Sequence, residues 1–147
     1  MIKLEVQIAA SSDDIPSEDD FQRWADPIEV NSAQEVALRI VDESEMTQLN
    51  EQYRKKSGPT NVLSFPADLP EGVDVPFLGD IIICAPVVVK EATEQGKLLD
   101  SHWAHMTVHG ILHLQGYDHI DKADAEKMES LEIKIMQQLG FANPYDS

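Results

Sequence analysis

Cysteine is nearly absent: Cys84 stands alone in 147 residues. One thiol excludes an intramolecular disulfide framework and a four-cysteine zinc site, and it fits a reducing cytoplasm. Basic residues are scarce too, with 11 Lys and Arg against 27 Asp and Glu and a net charge of −16. As a whole, such a chain repels nucleic acid and anionic membranes. No apolar run approaches the roughly 20 residues that a membrane helix needs. The N-terminus alternates Ile2, Leu4, Val6 and Ile8 with polar residues, unlike a signal-peptide apolar block. There are no internal repeats and no low-complexity linker. What is left is 42% hydrophobic and 26% charged, near globular averages, which excludes wholesale disorder. The length predicts one domain over residues 1–147 with a core of its own.

The charge is uneven. Residues 1–51 carry 3 basic and 13 acidic groups, residues 52–119 carry 5 and 8, and residues 120–147 carry 3 and 6. Most of these carboxylates serve solubility. An anionic substrate would have to meet a local basic patch in the middle segment. Arg54, Lys55 and Lys56 form the only basic run, and Lys90 and Lys97 complete the cations of that segment.

Hydrophobic periodicity sets the elements. Residues 2–9 alternate with period two and read as a half-buried strand. Ser17 and Asp20 form a capping pair before a helix carrying Phe21, Trp24 and Ile28. Residues 35–42 read as a second strand. Ser44 is placed to cap a short helix with Met46, Leu49 and Tyr53. Lys55 to Pro59 is loop, and Asn61–Phe65 is a strand stopped by Pro66. Residues 66–78 read as a long surface loop. Leu78–Ala85 is the most apolar strand; its unbroken Ile81-Ile82-Ile83 predicts cover on both faces and a buried Cys84. Pro86 and Gly96 suit the first turn and the end of a helix. Further helices are predicted over 99–115, ending at Gly116, and over 121–139. About four strands and four or five helices, strands early and helices late, predict an α+β fold with a small mixed sheet.

All five histidines lie between 102 and 119. His109 and His113 are four apart, so a helix puts both on one face, their Cβ atoms about 5–6 Å apart. Two imidazoles so placed reach one zinc at about 2.0–2.1 Å. Gly116 can turn the chain and return His119 as a third ligand. Three histidines leave one tetrahedral position for water, the pattern of a catalytic zinc site. Imidazole also suits nickel and copper. The spacing H-x3-H-x2-G-x2-H is shared with metzincin proteases. However, the residue after the first ligand, where such enzymes carry a glutamate base, is Gly110. His102 and His105 share the helical face and read as packing or as supporting contacts. Asp80 and Asp118 are candidates to orient a ligand imidazole.

The run H-G-I-L-H-L-Q-G-Y-D-H resembles the signature of the YbeY family of bacterial metal-dependent endoribonucleases. A second segment matches separately: Leu49-Asn50-Glu51-Gln52-Tyr53-Arg54, then Gly58-Pro59-Thr60-Asn61-Val62-Leu63-Ser64-Phe65-Pro66. Leu78-Gly79-Asp80-Ile81 is a third. The resemblance spans about residues 35–147, with the N-terminal part matching in layout. It implies a zincin-like α+β domain holding one zinc ion on His109, His113 and His119. It implies cleavage of single-stranded RNA, 3′-end maturation of small-subunit ribosomal RNA, ribosome quality control and a cytoplasmic location. Arg54 matches the family's functional arginine, and Lys55 and Lys56 follow as candidate substrate contacts. A metal can polarise a phosphoryl oxygen and a guanidinium can grip two oxygens, so the chemistry agrees.

Two other functions compete. One is a zinc hydrolase of a peptide or small ester, supported by the metzincin spacing and weakened by Gly110. The other is a ribosome assembly factor whose metal is mainly structural. The acidic total predicts salt-sensitive binding to free RNA, so the ribosome or an associated protein would deliver the substrate.

Overall fold

The computed structural model describes residues 1–11, 14–67, 76–117 and 121–145. In chain order the elements are β1 (Ile2–Ile8), α1 (Glu18–Ala25), β2 (Gln34–Val41), α2 (Glu43–Arg54), β3 (Val62–Pro66), β4 (Phe77–Cys84), α3 (Ala85–Gln95), α4 (Leu99–Leu114) and α5 (Lys122–Gln138). The four strands form one sheet in the order β1-β2-β4-β3. β1 and β2, and β2 and β4, are parallel; β3 runs antiparallel to β4. This is the mixed sheet of an α+β fold that the pattern predicts.

Side-chain alternation divides the sheet into two faces. Ile2, Leu4, Val36, Leu38, Ile40, Ile81 and Ile83 join the main core with α1, α4 and α5. Val41, Leu63, Ile82 and Cys84 join Met46 of α2 in a smaller core on the other face. The unbroken Ile81-Ile82-Ile83 is therefore covered on both sides, and Cys84 is a buried free thiol. Aromatic edges fix α1 on α4: Phe21 meets Trp24 at 5.5 Å and Trp103 at 5.8 Å between ring centroids. Large rings in edge contact bury much apolar area with one preferred geometry, so α4 is held firmly under the sheet.

Ser17 caps α1 as expected: its Oγ accepts from Asp20 N–H at 3.2 Å, and the Asp20 carboxylate accepts from Ser17 N–H at 3.4 Å. Helix α2 differs from expectation. Asp42, not Ser44, is its N-terminal boundary residue, without a side-chain cap bond. The Asp42 carboxylate instead accepts from Ser11 N–H and O–H, both at 3.2 Å, tying down the chain after β1. Of the predicted loop 66–78, Pro66 belongs to β3 and Phe77 and Leu78 to β4, and residues 68–75 lie outside the described residues. Gly116 ends the histidine helix at φ +100°.

Candidate metal centre and cleft

Helix α4 carries His102, His105, His109 and His113 at spacings of three and four. The rings form a ladder along one face, with centroids 6.4, 6.0 and 4.5 Å apart in that order. His102 and His105 are buried; His109 and His113 are half-buried at the open end. There the two Nε2 atoms lie 3.0 Å apart. Two ligands of one tetrahedral ion, each about 2.0–2.1 Å from it, sit about 3.3 Å apart. The pair the sequence singled out thus converges as a two-nitrogen donor set. His119 and Asp118 lie outside the described residues.

Glu132 of α5 organises the other side of this ladder. Its side chain is fully buried. Among the described residues it meets His105 Nε2, His109 Nδ1 at 3.3 Å and the Tyr145 hydroxyl at 2.8 Å. Burial alone would raise the Glu132 pKa; the hydrogen bonds from His105 and His109 outweigh it and hold the carboxyl at about 2. An ionised carboxylate only accepts, so His105 Nε2 and His109 Nδ1 carry their ring protons. That leaves the His109 Nε2 lone pair aimed at His113, the tautomer a metal ligand needs. Burial, opposed by Glu132, lowers the His105 pKa, so this ring is neutral near pH 7. Burial and then the Glu132 charge push the Tyr145 phenol well above its ordinary range.

His105, His109 and Glu132 bring one ligand-type atom each within 4.8 Å of one another, a group able to hold a metal ion. His105 Nε2 and the Glu132 carboxylate are in direct hydrogen-bond contact. This trio therefore reads as a hydrogen-bonded support behind the His109–His113 pair.

A cleft of about 450 Å³ opens in front of the two histidines. Arg54, the last residue of α2, lines it together with Asn61, Val62, Ser64, His109 and His113. Arg54 comes from one face of the sheet and the histidines from the other, so the cleft straddles the β3 edge. Behind Asn61 lies a second histidine–carboxylate pair, half-buried on its Glu91 side. Glu91 accepts from Asn61 Nδ2 at 3.1 Å and pairs with His102 Nε2 at 2.9 Å.

The family model described as Endoribonuclease YbeY matches residues 7–140. The chain belongs to the YbeY endoribonuclease family. YbeY endoribonucleases are hydrolases acting on RNA. The chain is 55% identical over 145 residues to the Endoribonuclease YbeY of Methylococcus capsulatus, covering 99% of this chain and 96% of that one. The solution structure of TM1509 from Thermotoga maritima shares the fold, with a TM-score of 0.58 at 24% identity, over 97% of this chain and 100% of that one.

Within this YbeY-family chain, the remaining site residues divide clearly. Lys55 and Lys56 are exposed beyond α2 and do not line the cleft. Lys97 is turned away from the expected patch: its Nζ donates to Pro144 O at 2.7 Å and fixes the C-terminal segment. Arg54 is thus the one member of the expected cationic group found among the cleft-lining residues. Asp80 is exposed on the α2 face of β4, beside Arg39 and Glu5, and faces away from α4. His105 sits against Glu132, one contact behind His109. Gly110 has a packing reason: a Cβ there would lie 2.9 Å from Ile81 Cγ2. Its carbonyl accepts from Ser64 Oγ at 3.1 Å, joining α4 to β3.

Sequence reasoning passed over Glu132 and Tyr145. A signal for the first exists: Met128, Glu132, Ile135 and Leu139 share one helical stripe, so Glu132 is an acid at a core position. Nothing local marks Tyr145.

Among the described residues, no helix is long and apolar enough to cross a membrane.

Proposed function

We propose that this protein is a cytoplasmic, single-domain metallo-endoribonuclease that cleaves single-stranded RNA, with His109, His113 and His119 as ligands of one zinc or similar divalent ion. The carrying observation is that Arg54 and the converging His109–His113 nitrogens line one cleft. When bound, the ion would polarise a phosphoryl oxygen and lower the pKa of a coordinated water. Arg54 grips two phosphate oxygens as negative charge grows on them. Glu132 keeps His109 in the ligating tautomer, His105 helps to keep Glu132 ionised, and the Tyr145 hydroxyl helps to hold it in place.

The natural substrate is ribosomal RNA of the small subunit, at its 3′ end, with a role in ribosome quality control. A net charge of −16 supports delivery by a ribosomal particle, because the surface offers free RNA little attraction. A peptidase reading fits less well: Gly110 stands where the base would be, packed on Ile81. A mainly structural metal also fits less well. Trp103, Val108, Met128 and Met136 of α4 and α5 already share one apolar core.

The test measures metal content and cleavage of single-stranded RNA together, on wild type and His113→Ala. One metal per chain and chelator-sensitive cleavage, both lost in a variant that keeps its circular dichroism, support the reading. The product ends report the nucleophile: a cyclic phosphate marks the RNA 2′-hydroxyl and a free phosphate marks water. Wild type that binds no metal, or that binds metal and cleaves neither free RNA nor ribosomal subunits, overturns it.

A further inference from the structure

The cleft runs along a free sheet edge. β3 is the last strand in the order β1-β2-β4-β3, so among the described residues one side of its backbone has no strand partner. Its register with β4 decides which groups face outward. Cys84 N–H donates to Asn61 O at 2.9 Å, and Ala67 N–H donates to Leu78 O at 2.9 Å. In an antiparallel ladder bonded and non-bonded pairs alternate. Leu63 and Phe65 therefore turn their backbone groups toward β4, and Val62, Ser64 and Pro66 turn theirs away.

Two of these three outward positions are closed as donors. Val62 N–H is taken by Asn61 Oδ1 at 2.7 Å. Pro66 has no N–H. Ser64 is the position between them that offers both an N–H and a C=O, side by side on one extended residue. Its side chain is occupied elsewhere, since Oγ donates to Gly110 O. Arg54 lies to one side of this edge, and His109 and His113 lie to the other, all lining the same cleft.

We propose that the outward backbone edge of Ser64 binds the Watson–Crick edge of an unpaired nucleobase next to the scissile phosphate. The proposal rests on the endoribonuclease reading and deepens it. Each of the four RNA bases presents an adjacent donor and acceptor on that edge: an amino group beside a ring nitrogen in A and C, a ring N–H beside a carbonyl in G and U. One main-chain N–H and C=O can pair with any of them. A base already paired in a duplex cannot present that edge, so the contact selects single strands without selecting sequence.

The test uses a short RNA with one mapped cleavage site and uridines on either side of it. Each uridine in turn is replaced by N3-methyluridine, which blocks the Watson–Crick edge, or by C5-methyluridine, which leaves it open. At one position N3-methylation is expected to lower kcat/KM about tenfold or more, on the scale of a lost bidentate base contact, and C5-methylation is not. Ser64→Pro removes the outward N–H and leaves the β4 ladder intact, as Pro66 does two residues on. It should erase the difference between the two methylated RNAs at that position, whereas Ser64→Ala should retain it. Circular dichroism and metal content check that the proline variant is folded; if it is not, the wild-type comparison decides alone. Equal response to both methyl groups at every position overturns the proposal and leaves the nuclease reading intact. Metal-loaded wild type that cleaves no RNA overturns both.

Discussion

Glu132→Gln keeps the shape of the side chain and removes its charge. The carboxylate now accepts from His105 Nε2, His109 Nδ1 and the Tyr145 hydroxyl. A glutamine offers one carbonyl oxygen and an N–H₂ group, so at least one of these donors would face another donor. The side chain is 0% exposed, so water does not replace what is lost. Hydrogen bonds to a charged group contribute about 1.5–3 kcal/mol each. With at least one such bond lost, the expected loss of stability is about 1.5–3 kcal/mol, a sizeable part of the 5–15 kcal/mol or so that holds a typical domain. Freed from the carboxylate, His109 loses its fixed tautomer, and metal affinity should fall about 10- to 100-fold. Urea unfolding of the metal-free protein measures the first effect, and titration against a competing chelator measures the second. A variant within about 0.5 kcal/mol of wild type, the range of an ordinary surface change, and with unchanged metal affinity refutes the clamp.

Gly110→Ala places a methyl group 2.9 Å from Ile81 Cγ2 and 3.1 Å from its Cδ1. Overpacking of this kind costs about 1–3 kcal/mol; urea unfolding should show it, and a neutral result would mean that α4 can lift off β4 freely. Arg54→Lys keeps the charge and loses the planar fork, so kcat/KM on RNA should fall about tenfold or more. Its melting temperature should not move, because Arg54 is exposed; equal activity would remove Arg54 from phosphate binding. Glu91 is held below the ordinary carboxyl range, by the His102 hydrogen bond first, against burial and with help from Asn61. A depressed folded pKa gives stability that is present above the ordinary value, about 4.3, and is lost as pH falls through the folded one. Thermal melts below about pH 4.5 should therefore decline less steeply for Glu91→Gln than for wild type, and parallel curves would contradict the pairing.

Local geometry made much of this protein legible before folding was considered. Period-two alternation in Ile2–Ile8 and helical spacing in Lys122–Gln138 are properties of a single segment. So is the approach of His109 and His113, because four residues of helix fix their distance whatever surrounds them. The double cover of β4 was written in its consecutive isoleucines. Asp42 escaped because its carboxylate serves Ser11, a residue 31 positions away. Lys97 escaped likewise, bound to Pro144 O across 47 residues.

Sequence alone, then, determined the strands, the helices and the two neighbouring imidazoles, since each depends on bonds and rotations within a few residues. The tertiary structure decided what those imidazoles face. Packing α5 on α4 put Glu132 behind His109 and turned its other nitrogen to the cleft. The end of α2 brought Arg54 around the sheet to the same opening. The strand order left the outer edge of β3 at Ser64 without a strand partner among the described residues. None of these follows from spacing along the chain, because each is a choice among surfaces that only the closed core makes.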